Sequence, residues 1–112
     1  MKYVLLICDD ESEVLGPDEI AAHPGHRAWT EEMVARGVFD GGNRLRPVAD
    51  ATSVRVRDGE TLVSDGPFAE TKEFVAGYAV IECADLDEAL EVAAKHPVAA
   101  SGTIEVRPVW EP

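Results

Sequence analysis

After its lysine, KYVLLIC (2–8) is apolar at every position, the pattern of a strand buried on both faces and so central in a sheet. Pro17, with Asp18 and Glu19 behind it, reads as a helix start, but Pro24 interrupts, and His23 before that proline is pushed away from helical angles. The pattern therefore predicts a short turn at 17–22 and a main helix from about 25 to 36. Its apolar stripe is Trp29, Met33 and Val34, and Gly37 supplies the left-handed stop. GVFDGGNRLRP (37–47) reads as a glycine-rich connection. In ATSVRVRDGETLVSD (51–65), Asp58-Gly59 between β-rich flanks predicts a two-residue hairpin, with strands near 51–57 and 60–64. A strict turn puts Leu62 on the face of Arg55, so the imperfect alternation predicts a bulge in the register.

FVAGYAVIEC (74–83) is apolar on both alternating faces and also wants cover on both sides. Asp85 with Glu88 forms a capping box for a second helix whose stripe is Leu86, Ala89, Leu90 and Ala93, with Pro97 beyond its end. GTIEVRPV (102–109) alternates as a last strand near an edge. The order is a βαββαβ plan with an extra short strand, which right-handed crossovers turn into one antiparallel α+β sheet with two helices on one face. Helices on one face leave the other open, although the central strands are apolar there too. A second copy packed sheet to sheet is the economical cover, so a homodimer is expected, with clefts beside sheet and helix as natural sites for a small-molecule ligand.

Composition narrows the functional classes. The 112 residues suit a single domain, 1–112, and a net charge of -12 with scattered cations gives no stripe for phosphates. Direct nucleic-acid binding and an anionic membrane surface are both disfavoured. The start, MKYVLLICDD, reads as a first strand rather than a leader, and no run reaches membrane-spanning length. Cys8 and Cys83 lie in strand-like runs at opposite ends of an antiparallel pair, which fits two reduced thiols in a cytoplasmic protein. No metal-ligand spacing, phosphate-cradling loop or nucleophile elbow occurs, so no metal or cofactor is expected.

The densest chemistry is SDGPFAETKE (64–73), between two strands. Turn chemistry accounts for part of it: Asp65 accepts a backbone N–H, Gly66 and Pro67 shape the turn, and Phe68 anchors it inward. The clustered charges Asp65, Glu70 and Glu73 against Lys72 argue for more than a turn. DGPFAETKE resembles, without a gap, the signature of the YCII-related proteins of DGPF type. The similarity extends to GYAVIECADLDEALEVAA and GTIEVRPV, and more loosely to HRAWTEEMVARGVFDGGNRL.

That resemblance implies a ferredoxin-like fold of the dimeric α/β barrel type, in a superfamily of small-molecule enzymes that includes a dehydrochlorinase. It implies a His–Asp pair as the active centre, and genes set beside extracytoplasmic-function sigma factors. Carried over, the pair is Asp65, with Gly66 inserted after it, and His26 from the first helix; His23 is a poorer match because Pro24 follows it. A histidine held by a carboxylate is a competent general acid or base. Glu70, Thr71 and Lys72 offer rim contacts for binding, and Arg55 either faces an anionic group or makes a surface pair. His96, before Pro97, reads as a helix-end residue. Two classes stay open: an acid/base enzyme on a small organic substrate, and a non-catalytic module binding a ligand or protein, linked to a sigma-factor circuit.

Overall fold

The computed structural model describes residues 1–10, 15–68 and 72–111. Its elements are β1 (Lys2–Asp10), α1 (Pro17–Ala22), α2 (Pro24–Ala35), β2 (Phe39–Arg44), β3 (Thr52–Arg57), β4 (Glu60–Asp65), β5 (Glu73–Glu82), α3 (Leu86–Ala94) and β6 (Thr103–Pro108). Two 3-10 turns, Val48–Asp50 and Pro97–Ala100, fall between them.

The two continuously apolar strands take the positions their composition demands. β1 and β5 are antiparallel and central in a sheet of order β2-β5-β1-β6, with β6 on an edge. Register sets Tyr3 against Ile81 and Leu5 against Ala79, and these four join Trp29 and Met33 of α2 and Ala89, Val92 and Ala93 of α3 in one core. The opposite side chains of the same strands, Val4, Leu6, Tyr78 and Val80, are only half-buried. The α+β, antiparallel plan is compatible with a ferredoxin-like fold.

Local chemistry explains the helix limits. Asp85 caps α3 by accepting from the Glu88 N–H at 2.9 Å, while the Glu88 carboxylate accepts from Ala84 N at 2.9 Å, one residue before the N-cap, so only half of the expected capping box forms. Gly37 ends α2 at φ 74. The stripes differ from expectation: Val34, Leu86 and Leu90 are exposed, and Val92 fills the place expected of the leucines.

Three expectations about the middle of the chain are corrected. The glycine-rich 37–47 segment is not only a connection, because Phe39–Arg44 forms an edge strand on β5. Gly41, at φ 111, and a register shift between Phe39 and Gly42 let the glycines bend a strand they would otherwise weaken. Among the described residues β3 and β4 pair only with each other, outside the main sheet. Their register is unbroken from Thr52–Asp65 to Arg57–Glu60, with no bulge, because Asp58 and Gly59 both adopt positive φ and match the strand twist. Finally, Phe68 is 80% exposed and does not anchor the motif turn in the core of its own chain. The turn is instead tied to the hairpin base, Gly66 N donating to Ala51 O at 2.7 Å and Ser53 Oγ to Gly66 O at 2.8 Å. Among the described residues no helix is long and apolar enough to cross a membrane.

Candidate functional site

Between α1, α2 and the sheet lies a cleft of about 320 Å³. Its walls are largely apolar, from Ile7, Ile20, Trp29, Phe39 and Ala79, while His26, Thr30 and Arg44 bring polar groups to it. Few convergent polar groups in an apolar recess is the usual composition of a small-molecule site. His26 also lines an adjoining recess with Asp9, His23 and Ser101, and so stands where the two meet.

Proline placement brings the histidines together. His23 and His96 each precede a proline, take extended angles, and become N-caps, of α2 and of the Pro97–Ala100 turn respectively. His23 Nδ1 accepts from Gly25 N at 3.1 Å and His26 N at 3.3 Å, and His96 Nδ1 accepts from Val98 N at 3.1 Å. Accepting through Nδ1 requires it to be unprotonated, so in the neutral rings the proton sits on Nε2. All three histidines of the chain meet as a result, with ring centroids 4.8 Å apart for His23–His26 and 5.2 Å for His26–His96. Trp29 stacks edge-on against His96 at 4.9 Å and donates Nε1–H to Val92 O at 3.0 Å, which locks α2 to α3 beneath the cluster. Among the described residues the His26 ring makes no hydrogen bond, although both neighbours are committed to caps.

Burial lowers the His26 pKa below the ordinary histidine range, helped by His23 and Arg44 and opposed by Asp9. His96, 6% exposed, is pushed down to about 4 by burial and then by His26 and Arg44. Both rings are therefore neutral at pH 7. Asp9 is the inward-facing residue that ends the alternation Tyr3, Leu5, Ile7; it is buried, with Oδ1 accepting from Asp10 N at 2.9 Å. Arg44 reaches the site from β2, Nε donating to Leu15 O at 3.2 Å. No group of histidines, cysteines and carboxylates among the described residues is placed to hold a metal ion. Burial raises both thiols, Cys83 to about 11, so neither is poised as a nucleophile.

The residues singled out in the sequence separate in space. His26 is at the cleft. Asp65 is exposed at the end of β4 and is not among the residues lining the cleft or the recess. The carboxylate that shares a recess with His26 is Asp9. Arg55 is exposed on β3 opposite Leu62, and Lys72 is exposed before β5. Glu70 and Thr71 lie outside the described residues. Sequence reasoning passed over Asp9 and Arg44 and undervalued His96. The signals were an acid continuing the inward alternation of β1, and two His-Pro pairs, 23–24 and 96–97, able to form equivalent caps.

A family model for the YCII-related domain matches residues 1–112, and the chain belongs to that family. An uncharacterised protein of Rhizobium meliloti is 50% identical over 68 residues, which cover 59% of this chain and 55% of that protein. The aligned part thus spans about half the length of the relative.

Proposed function

We propose that this YCII-related chain is an acid/base enzyme on a small organic substrate, with His26 as the group that takes up or delivers a proton. The observation that carries this is the state of the His26 ring: it faces an apolar cleft, uncommitted, between two imidazoles fixed by backbone caps. A neutral imidazole accepts a proton at pH 7, and its lowered pKa keeps it in that form. Asp9 in the adjoining recess stabilises the imidazolium once it forms. Arg44 opposes that charge, yet favours negative charge developing on the substrate in the cleft. Trp29, Phe39 and Ile20 exclude water from the reacting atoms.

Asp65, Arg55 and Lys72, which line neither the cleft nor the recess, take the part of surface polar groups that meet another molecule rather than of the central pair. With this goes a ferredoxin-like chain with both helices on one face, acting as a cytoplasmic homodimer. A second reading, a non-catalytic module in a sigma-factor circuit, is favoured by the exposed apolar side chains of the β3–β4 hairpin.

The test is direct. Small carboxylates, ketones and lactones are screened by ligand-observed NMR, and binders are incubated in deuterated water with wild-type protein. Binders should shift the His26 imidazole resonances, and one should gain deuterium at an acidic C–H. His26→Gln should abolish the exchange without unfolding the chain. Exchange undiminished in His26→Gln, or no binder that moves His26, would sink the enzyme assignment.

A further inference from the structure

The cleft beside His26 differs in charge from the rest of the chain. With 22 Asp and Glu against 10 Lys and Arg, the chain carries a net charge of -12, and a dissolved anion is repelled on approach. Among the described residues the cleft is nonetheless lined by Arg27, Arg44, His26 and His96 and by no carboxylate. The backbone places both arginines: Arg27 stands exposed early in α2, and Arg44 ends β2 half-buried. Ile7, Gly77 and Arg44 lie in register across the sheet, so they share the face toward the helices, and the residue between Ile7 and Arg44 has no side chain. Gly42 beside Ala79 repeats the pattern on the next inward row. These small residues leave the floor bare and so open the cleft, with Arg44 at its side, Nε held by Leu15 O at 3.2 Å.

We propose that the cleft takes a small organic acid, its carboxylate on Arg44 with Arg27 at the rim and its apolar body among Trp29, Phe39 and Ile20. The inference rests on the proposed function for the cleft being the substrate's site, and adds what the substrate must carry. Charge selects an anion, and the walls select which kind. Inorganic phosphate is strongly hydrated and meets apolar side chains here where it needs donors. A carboxylate on a hydrocarbon body presents two oxygens to the guanidinium fork and the remainder to the apolar walls. Volume sets the size. At about 30 Å³ per water-sized group, a cleft of about 320 Å³ holds roughly ten non-hydrogen atoms, too few for a nucleotide or a peptide.

Phenylacetate and 2-oxohexanoate, the neutral amide of each, and inorganic phosphate are titrated against the protein by NMR. Each acid should bind about ten- to a hundredfold more tightly than its amide, the range a charge-assisted pair supplies. Phosphate should not compete, and added salt should weaken the acids while sparing the amides. The His26 ring should titrate higher with an acid bound than with its amide. Burial, His23 and Arg44 hold its pKa down against Asp9, and the carboxylate offsets Arg44. Arg44→Gln should remove most of the preference for acid over amide, and Arg44→Lys less of it, because an ammonium keeps the charge without the fork. Circular dichroism of both variants should match wild type; where it does not, the comparison of acid with amide on the wild-type chain decides. No binding of either acid, acid and amide bound equally, phosphate displacing the acid, or a folded Arg44→Gln with undiminished preference would each overturn the proposal. An acid that binds through Arg44 and gains no deuterium would sink the enzyme assignment and leave the acid site standing. Ketones or lactones that exchange through His26, with Arg44→Gln unimpaired in every binding arm, would do the reverse.

Discussion

Acidification should destabilise this fold through one ring, His96, between pH 6.5 and 4. In the folded chain that imidazole is 6% exposed, stacked on Trp29 and His26, with its pKa pushed down to about 4; the ordinary value is 6.5. The sign follows from proton counting. As pH falls below 6.5 the unfolded chain binds a proton there and the folded chain does not, so stability is lost toward pH 4 and no further below it. A shift from 6.5 to about 4 corresponds to about 3 kcal/mol in full, and about 2 kcal/mol of it should be felt at pH 5. Against a total stability of roughly 5–15 kcal/mol this is large. The perturbation that isolates it is His96→Asn, whose Oδ1 can replace Nδ1 as acceptor for the Val98 N–H. The smaller side chain lowers stability at every pH by a constant amount, while the titration disappears. Urea unfolding at pH 7.5, 6, 5 and 4.5 should give a wild-type slope that the variant lacks, the residual slope coming from His26 and the carboxylates. Equal slopes in the two proteins, or an NMR titration of His96 near its ordinary pKa, would refute the claim that the ring is held neutral by burial.

Two further outcomes test the packing around the site. Gly42→Ala would place a Cβ 2.4 Å from Tyr78 O and 2.9 Å from Ala79 Cα, both backbone, so β2 must shift; a loss of roughly 2–4 kcal/mol by urea unfolding is expected, and a change within experimental error would mean the edge strand is looser than drawn. Trp29→Phe removes the Nε1–H bond to Val92 O and should cost about 1–3 kcal/mol, leaving an emission spectrum from Trp110 alone, which at 99% exposure should be that of a fully hydrated indole.

Periodicity and caps made most of the main sheet and helices legible. The runs 2–8 and 74–83 announced strands in the middle of a sheet because so many consecutive apolar residues suit a strand with a neighbour on each edge, although the chain covers only one of their two faces, and Asp85 announced α3 because its carboxylate answers an orphan backbone N–H at the helix start. β2 was illegible for the converse reason: FDGGNR has no alternation, and its pairing depends on a β5 that sequence alone does not bring alongside. The leucines of α3 misled because hydrophobicity ranks Leu86 and Leu90 above Val92, whereas the helix's rotation about its axis decides which side faces the sheet. At the site, His26 was visible through its resemblance. Its partners were not, because Asp9, Arg44 and His96 come from β1, β2 and the turn after α3, and only the tertiary fold makes them neighbours.

The position of Asp9 shows how such a site is built at little cost to the fold. β1 sends Tyr3, Leu5 and Ile7 inward, and the next inward position carries a carboxylate where the core ends. A buried acid there needs polar company and room, and the fold provides both. Its Oδ1 is held by the Asp10 N–H, and Gly102, where any Cβ would lie 2.3 Å from Cys8 O and 3.2 Å from Asp9 Oδ1, lets the chain after the Pro97–Ala100 turn pass close beside it. That turn is started by His96, so one residue both caps the backbone that passes Asp9 and flanks the ring of His26. On the proposed reading of His26, stability and chemistry are coupled at this point, since the residues that flank its ring also close the end of the core. The DGPF turn is tied by Gly66 to the base of an exposed hairpin and, among the described residues, shows no such coupling. Its conspicuous sequence is better matched to a surface that meets another molecule than to the cleft that His26 lines.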